Sequence, residues 1–597
     1  MSEILNLPKG HAVLQSSTVE LPLQKAKFRI HKIYDEGKDN TYQLAFNEKQ
    51  RKVDFDRALK KEIDLQNQRY GKIHPTLFDM LQSKQKAAKF EVVIWLNASV
   101  QEPFKTQFNA KELSSEKVPS KIAASRSALI ALTGKVAAKV SKEAGIELKG
   151  QIKLAPAFIT EATIQQVNLL ASLREVSLIA LYERKGIDDL QDSLDISNGQ
   201  QVVYTDGNRG NNIKVAVWER GPDNTSDLVI EARYDSTPST SAHARLTTGI
   251  IKNNESAEPN GYAPSCKIYS ANDYDNDALE WAVEEKNCRV VSQSFHRESE
   301  ETSGTLSPDD ILKDYLVMRY PYPTITQAAG NISVTNEFVN HKGYNSLAIG
   351  SHNDSATAMA SDSTFRNPTS DHGDRELPEL SANGTNVTAV GLTNSGTSFA
   401  APAAAGSAAV LMGIDSLLKS WPEGIRAILL AGATRNVRGR NWRQDLINNV
   451  DARDGAGALD LRESARIARK KKSPGNTASQ CGYDVGRLES RDFRTNGIAK
   501  NEYHIQVPRK GPTHVKVALA WDAKVLTFIG IRLGSFLTMD LDLRIYKGSQ
   551  LVAHSSSWDN SYEIAEYDAK PGDVLTVKIK RYSGNDWTYF GLAWNVF

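Results

Sequence analysis

The chain has 597 residues, of which 40% are hydrophobic and 24% charged, proportions that are ordinary for a globular protein. With 73 basic and 71 acidic residues its net charge is only +2, so no overall field favours nucleic acid or a membrane as a partner. A chain this long exceeds what one hydrophobic core can organise and is expected to form about three or four domains.

The cysteines and the N-terminus suggest where the protein resides. Cys266, Cys288 and Cys481 are too few for a disulfide framework and lack metal-ligand spacing, so we expect buried thiols and no metal site. The opening residues MSEILNLPKGHAVLQSS do not resemble a signal peptide, and no apolar run approaches the ~18 residues of a membrane span. We therefore predict a cytoplasmic protein, with export by another route left open.

The first third of the chain contains two predicted units. Residues 1–88 are a polar N-terminal extension, and helical periodicity over 52–88, interrupted near Pro75, predicts that it is partly helical. Residues 89–185 read as strand, helix, two strands, helix and strand. That order predicts a split βαβ domain of ferredoxin-like α+β type.

The remainder of the chain begins with a predicted linker over 186–212, which is acidic and then rich in Gly and Asn. Over 213–470, short apolar strands such as IKVAVW, VVSQSF, TITQAAG and YNSLAIG alternate with helical runs, which predicts an α/β unit with a parallel sheet flanked by helices. The basic run ARKKKSPGN at 468–476 marks a boundary. Short strands and turns over 485–597 predict a C-terminal β-sandwich.

The stretch GLTNSGTSFAAP at 391–402 places Ser398 at a predicted helix start. A serine hydroxyl needs a base to act as a nucleophile, and N–H groups at a helix N-terminus can stabilise a developing oxyanion. Gly396 would let a substrate backbone approach closely. By itself the stretch fits a buried helix start equally well, so a catalytic role depends on partners elsewhere in the chain.

The longer run GTSFAAPAAAGSAAVL resembles the nucleophile segment of the subtilisin-like serine peptidases, the subtilases. The resemblance implies a serine endopeptidase that acts on protein or peptide substrates through Ser398, without a cofactor. It implies that His243, six residues before Gly249 in SAHARLTTGI, is the base and that Asn331 in ITQAAGN is the oxyanion donor. It also implies a set of substrate-binding residues, namely Ser294, Phe295, Gly330, Gly396 and Thr397.

The acid of the implied triad departs from the family pattern. Subtilases usually have aspartate after the first strand, whereas IKVAVWERG puts Glu219 there. Its extra methylene still allows it to accept from the imidazole if the strand end or His243 shifts by roughly an ångström. Asp223 is a second candidate acid. A third interpretation is a catalytically impaired subtilase-fold protein that binds peptides.

The resemblance also gives the flanking units expected roles. Residues 89–185 would be a propeptide that chaperones folding and leaves its last strand in the active-site cleft, with any cleavage within 182–200; a permanent structural domain is the alternative. The C-terminal sandwich resembles the jelly-roll-like domain of larger subtilases. His296 stands where the family usually has glycine after the substrate-lining strand. The sequence gives no indication of oligomeric state.

Overall fold

The structure is a computed structural model that describes residues 11–597 with internal gaps. The residues outside the description are 1–10, 22, 36–39, 48, 50, 84–87, 98–117, 153–154, 183–186, 189–194, 257–258, 332–336, 354–355, 438–452 and 527–533. From the N-terminus onward, the described residues form an antiparallel sheet with helices, an α+β unit, a parallel-sheet unit and facing antiparallel sheets.

The N-terminal extension combines an antiparallel sheet with helices. Its strands are His11–Leu21, Ala26–Asp35, Asn40–Asn47 and Lys52–Val53, and its helices are Phe55–Tyr70 and Pro75–Ser83. Both helices lie within the stretch of helical periodicity, and Pro75 begins the second one, where its missing N–H has no helical partner to lose. The sequence pattern does not predict this sheet, because its apolar face is completed by Phe55 and by the distant Trp558.

The α+β unit follows the predicted element order. Its elements are Lys89–Leu96, Val118–Ala144, Gly150–Ile152, Ala157–Thr163, Ile164–Ser172 and Val176–Leu181. In the sheet, the strands lie in the order Gly150–Ile152, Ala157–Thr163, Lys89–Leu96 and Val176–Leu181, with antiparallel neighbours. Thr163 and Gln166 form a capping box that starts the second helix.

A parallel sheet forms the centre of residues 213–470. In sheet order its strands are Ile230–Arg233, Lys267–Ala271, Lys214–Trp218, Val290–Gln293, Thr324–Ala328, Leu347–His352 and Leu380–Asn383. Val215 and Val217 face the core around the helix Thr397–Ile414, whereas Ala216 and Trp218 face the opposite side. Apolar packing therefore covers both faces of the sheet, which confirms the α/β prediction for this part of the chain.

The helices of this unit are Ala242–Ile251, Asn276–Glu280, Glu298–Thr302, Pro308–Val317, Thr397–Ile414, Pro422–Gly432 and Leu461–Ala468. Thr397–Ile414, called the serine helix below, packs so closely that a Cβ on Gly406 would lie 2.4 Å from the Cβ of Tyr262. Contrary to the expectation that no apolar run approaches the length of a membrane span, its length and composition would suit one, yet 89% of it is buried inside the protein. It therefore serves as the central core helix of this unit.

The second half of the predicted linker packs against the parallel-sheet unit. Residues Gln201–Thr205 form a single π-helical turn. Val202 and Val203 are fully buried in the same core as the serine helix. This part of the linker therefore belongs structurally with the unit that follows it.

Residues 481–597 form antiparallel sheets that face each other. One contains Cys481–Leu488, Thr588–Val596, His514–Trp521 and Tyr562–Asp568, and the other Ile498–Gln506, Val574–Ser583, Asp540–Lys547 and Gln550–Ser555. Trp521 and Trp594 lie in the apolar core between them. One sheet also packs on the helix Pro422–Gly432, which joins these strands to the parallel-sheet unit.

The α+β unit packs directly on the parallel-sheet unit. One face of its sheet, including Trp95, shares an apolar cluster with Ile311 from the other unit. Beyond the last strand, Ile187–Asp188 pairs antiparallel with Phe295–His296, just past the carboxyl end of a central parallel strand. Ile187–Asp188 therefore lies at the carboxyl edge of the parallel sheet.

Candidate active site

Glu219 and His243 form a buried carboxylate–imidazole pair. Glu219 follows the strand Lys214–Trp218, and its N–H donates to the carbonyl of Ala271 on the neighbouring strand. His243 lies in the first turn of the helix Ala242–Ile251. Nδ1 of His243 lies 2.6 Å from Oε2 of Glu219, and their side chains are only 2% and 1% exposed. This contact holds the proton on Nδ1 and leaves Nε2 as the basic nitrogen.

Thr247 holds the other oxygen of the same carboxylate. Its hydroxyl donates to Oε1 of Glu219 at 2.6 Å. Thr247 lies four residues after His243, so both side chains share one face of the helix. Ser241 caps this helix by accepting from the N–H of Ala244 at 3.1 Å. One helix therefore positions both the imidazole and a group that fixes its carboxylate partner.

Asp223, the alternative acid considered from the sequence, is engaged elsewhere. Its Oδ1 lies 2.9 Å from Nε of Arg245. The two backbones are held near each other because Gly221–Pro222 pairs with Thr240–Ser241. The structure therefore brings the Glu219 carboxylate to the imidazole and directs Asp223 to a surface ion pair.

Ser398 lies in the first turn of the serine helix, two residues after the cap residue Gly396. The side chain is fully buried, and its hydroxyl donates to the carbonyl oxygen of Ser294 at 3.3 Å. The Ser294 hydroxyl donates in return to the carbonyl of Ser398 at 2.7 Å. The ring of His243 packs on that of Phe399, with centroids 5.2 Å apart. The positive end of a helix dipole thus lies at Ser398, and the next residue, Phe399, contacts the imidazole.

Asn331, which follows the strand Thr324–Ala328, is tied to the start of the serine helix. Its Oδ1 accepts from the N–H of Thr397 at 2.5 Å and from the Thr397 hydroxyl at 2.9 Å. That hydroxyl accepts from the N–H of Gly330 at 3.0 Å. Because a backbone N–H only donates, the atom of Asn331 that faces it must be the amide oxygen. Nδ2 is then the hydrogen-bond donor of the Asn331 side chain.

Phe295 contributes its backbone rather than its ring to the carboxyl edge of the sheet. The ring is fully buried, edge-on to Trp218 at 4.9 Å and tilted against Tyr274 at 4.6 Å. Its backbone pairs with Asp188 of the two-residue strand Ile187–Asp188, called the extended segment below. Ser294 and Phe295 thus lie between that segment and the serine helix, where the resemblance implied substrate binding.

Tyr182, at the end of the α+β unit, is anchored to the parallel-sheet unit. The hydroxyl of Tyr182 donates to Oδ1 of Asp275 at 2.9 Å, and Nε1 of Trp218 donates to the carbonyl of Asp275 at 3.2 Å. Burial, with the Asp275 carboxylate, raises the pKa of Tyr182, so the phenol stays protonated and remains the donor. These bonds tie Tyr182 and Trp218, which belong to different units, to the same residue.

A buried ionic cluster lies behind Phe295. Glu300, Asp310 and His341 bring ligand-type atoms within 4.8 Å of one another. Nζ of Lys313 lies among them, 3.6 Å from Asp310 and 3.4 Å from Nδ1 of His341. Burial and the Lys313 ammonium lower the pKa of His341, whose Nε2 faces the Phe295 carbonyl at 3.0 Å. A lysine therefore supplies positive charge within this cluster, and the cluster contacts the Phe295 backbone through His341.

Sequence reasoning missed Thr247, and it expected the last strand of the α+β unit in the cleft, whereas Val176–Leu181 pairs within its own sheet and Ile187–Asp188 pairs with Phe295–His296. Thr247 carried a usable signal, because it lies one helical turn after His243 on the same face. The pairing of Ile187–Asp188 carried none, since a two-residue strand within an acidic segment has no recognisable alternation. The three cysteines are buried thiols, as predicted.

Comparison with known proteins places the resemblance in the centre of the chain. Residues 210–457 match the model of the subtilase family, and this range includes Glu219, His243, Asn331 and Ser398. The minor extracellular protease Epr of Bacillus subtilis (strain 168) is 30% identical over 232 residues, covering 34% of this chain and 33% of that protein. The chain therefore matches about a third of that relative's length.

Solved structures are similar to this chain as well. Fervidolysin from Fervidobacterium pennivorans, described as a keratinolytic enzyme related to subtilisin, is similar with a TM-score of 0.47 and 15% sequence identity. The similarity covers 81% of this chain and 77% of that one.

Proposed function

We propose that the protein is a serine endopeptidase with a Glu219–His243–Ser398 triad and Asn331 as an oxyanion donor. The observation that carries the proposal is the buried 2.6 Å contact between Glu219 and Nδ1 of His243. Such a contact fixes the tautomer and stabilises the imidazolium that forms during acyl transfer. The match of residues 210–457 to the subtilase family supports a serine peptidase acting on protein or peptide substrates.

In the proposed reaction, the Ser398 hydroxyl turns from the Ser294 carbonyl toward Nε2 of His243 and attacks the substrate carbonyl. His243 takes the proton and passes it to the leaving amine, while Glu219 holds Nδ1–H. The Ser398 N–H and Nδ2 of Asn331 donate to the oxyanion. Water then releases the acyl group by the same steps in reverse order. Catalytic hydrogen bonds often tighten only once substrate is bound, so the resting Ser398 geometry is compatible with this role.

We further propose that the α+β unit is a ferredoxin-like propeptide. Its support is the strand order in the sheet and the pairing of Ile187–Asp188 with Phe295–His296, which resembles a peptide added to a strand edge. Cleavage would fall between 188 and 195, because the Ser197 hydroxyl already lies 2.5 Å from that of Tyr262 in the parallel-sheet unit. A permanent domain remains the alternative role. The jelly-roll-like class of the C-terminal strands and the cytoplasmic location also stay predictions.

Intact mass of the purified protein beside Ser398→Ala tests the proposal, together with labelling by a fluorophosphonate. We expect the wild type to lose its N-terminal units and to take one label, and the alanine variant to stay whole and unlabelled. Labelling of a full-length wild type would retain the peptidase and reject the propeptide. A full-length, unlabelled wild type would reject both and indicate the impaired peptide-binding protein.

A further inference from the structure

Two chain segments diverge at the carboxyl edge of the parallel sheet beside Ser398, and the space between them is called the crevice below. The neighbouring strands Val290–Gln293 and Thr324–Ala328 are paired up to Gln293 and Gln327. Beyond that point Phe295–His296 turns toward the extended segment, whereas the N–H of Ala329 donates to the next parallel strand. The two chain segments therefore separate, at the edge where α/β sheets bind their ligands.

Both walls of this crevice meet the proposed nucleophile. On one wall, the carbonyl of Ser294 accepts from the Ser398 hydroxyl. On the other, the N–H of Gly330 donates to the hydroxyl of Thr397, the residue before Ser398. A substrate whose carbonyl lies at Ser398 would therefore place the preceding side chain between these walls.

Asn340 lies behind the second wall with an unsatisfied amide. Its side chain is 1% exposed, and a Cβ on Gly330 would be 2.9 Å from its Nδ2 and 3.0 Å from its Oδ1. Neither Nδ2 nor Oδ1 has a hydrogen-bond partner among the described residues. The Asn340 backbone is held at both ends, since its N–H donates to Ala329 and its carbonyl accepts from Lys342, each at 2.9 Å.

An unpaired buried amide is costly unless a ligand pairs with it, because both its donor and its acceptor have been removed from water. At the paired end of the crevice, Nε2 of Gln327 donates to Gln293, and Oε1 of Gln327 is buried without a partner in the part of the chain that the structure describes. The region near the crevice therefore offers two unpaired acceptors, Oδ1 of Asn340 and Oε1 of Gln327, and one unpaired donor, Nδ2 of Asn340, among the described residues. All three atoms belong to neutral amides.

We propose that Asn340 determines specificity in this proposed peptidase by binding a glutamine or asparagine side chain of the residue before the scissile bond. A carboxamide satisfies the donor and the acceptor of Asn340 at once. A carboxylate would leave Oδ1 facing another acceptor, an ammonium group would leave Nδ2 facing a donor, and an apolar side chain would satisfy neither. The inference rests on the proposed peptidase function.

The test uses peptides that differ only in the residue before the scissile bond, which is Gln, Met, Glu or Lys, with wild type and Asn340→Leu. Gln and Met are similar in size, so their ratio of kcat/KM isolates the hydrogen bonds. We expect the wild type to prefer Gln over Met by about tenfold or more. In Asn340→Leu the ratio should fall to about one or below. The ratio within one preparation is independent of the fraction that is folded.

A digest of reduced, alkylated proteins with mapped cleavage sites extends the test beyond the chosen peptides. Enrichment of Gln and Asn before the cut in the wild type, lost in Asn340→Leu, supports the inference. No enrichment, a preference for Glu or Lys, or an unchanged preference in the variant overturns it. If no substrate is cut and Ser398 takes no fluorophosphonate, the proposed function itself fails.

Discussion

Thr247 donates its hydroxyl to Oε1 of Glu219 at 2.6 Å, while Oε2 of the same carboxylate meets His243. The glutamate is thus held from both oxygens by groups on a single helix. In the proposed triad, Thr247 is a second anchor for a carboxylate that lies one methylene farther from the backbone than that of an aspartate. Thr247 is therefore a positioning residue in the proposed mechanism.

Thr247→Val should lower kcat roughly tenfold with little change in KM, because a hydrogen bond to a charged group contributes about 1.5–3 kcal/mol. Valine keeps the shape of the side chain and removes only the hydroxyl. Steady-state kinetics on one peptide measures the effect. Thr247→Ser should restore most of the activity; if serine is as poor as valine, the loss is structural and the anchoring role is wrong.

Glu219→Gln should lower kcat by up to about 10⁴-fold, because an amide cannot stabilise the imidazolium and favours the wrong tautomer. Glu219→Asp retains the charge but withdraws it from His243, so we expect a smaller loss. Single-turnover acylation rates measure both variants. An aspartate variant as active as the wild type would show that the 2.6 Å geometry is unimportant, and an active glutamine variant would remove Glu219 from the triad.

Asn331→Leu should lower kcat by about 10²–10³-fold, the usual loss for an oxyanion-hole donor. The same change removes the acceptor that holds Thr397, so a second variant separates the two effects. Asn331→Asp keeps the oxygen toward Thr397 and replaces Nδ2 with a charged oxygen that repels the oxyanion. The kcat of Asn331→Asp should be at least as low as that of Asn331→Leu, while its melting temperature stays close to that of the wild type. An aspartate variant with normal kcat would exclude the oxyanion role.

The sequence predicts the parallel-sheet unit well because its signals are local. The apolar strand IKVAVW ends directly at Glu219, and small residues begin the serine helix after Gly396. Glu219 could be chosen as the candidate acid from its position after the strand. The sequence could not show that Asp223 is engaged elsewhere, because this depends on Arg245 lying 2.9 Å from Asp223 in space.

Other features depend on residues far apart in sequence. The N-terminal sheet needs Trp558 to complete its apolar cluster, and no window of the sequence joins the two. Likewise, nothing near Asn340 in the sequence indicates that its amide lies against Gly330. Contacts of this kind are set by tertiary packing, which periodicity does not encode.

His372 and Asp559 form a pair that joins the parallel-sheet unit to the C-terminal strands. Nδ1 of His372 lies 2.9 Å from Oδ1 of Asp559, whose Oδ2 also accepts from the His372 N–H and the Ser370 hydroxyl, each at 2.8 Å. Burial opposes the charge on His372, but the Asp559 carboxylate outweighs it and raises the pKa of His372 to about 9. The imidazole therefore stays charged at neutral pH.

The folded pKa of His372 lies above the unfolded value of about 6.5, so its contribution to stability is complete below that pH and is lost as pH rises through about 9. In a Ser398→Ala background, the free energy of unfolding should fall by up to about 3 kcal/mol between pH 6.5 and 9.5. Urea titrations measure this change. His372→Asn should flatten the dependence, and parallel pH profiles for the two proteins would contradict the prediction.

Gly591 sets how closely the C-terminal strands dock on the parallel-sheet unit. A Cβ there would lie 2.3 Å from the carbonyl oxygen of Glu423 and 2.6 Å from the N of Gly424, both at the start of the helix Pro422–Gly432. Backbone atoms cannot move aside as a side chain can. Gly591→Ala should therefore destabilise the protein by about 1–3 kcal/mol and separate the two units.

Gly486 on the neighbouring strand provides the matched control, because a Cβ there would meet only the Phe590 ring, at 3.1 Å. Urea unfolding of Gly591→Ala and Gly486→Ala, again with Ser398→Ala, compares the two positions. Limited proteolysis at the basic run 468–476 reports on docking, and it should accelerate for Gly591→Ala alone. Equal stability and equal proteolysis of the two variants would show that this contact does not hold the units together.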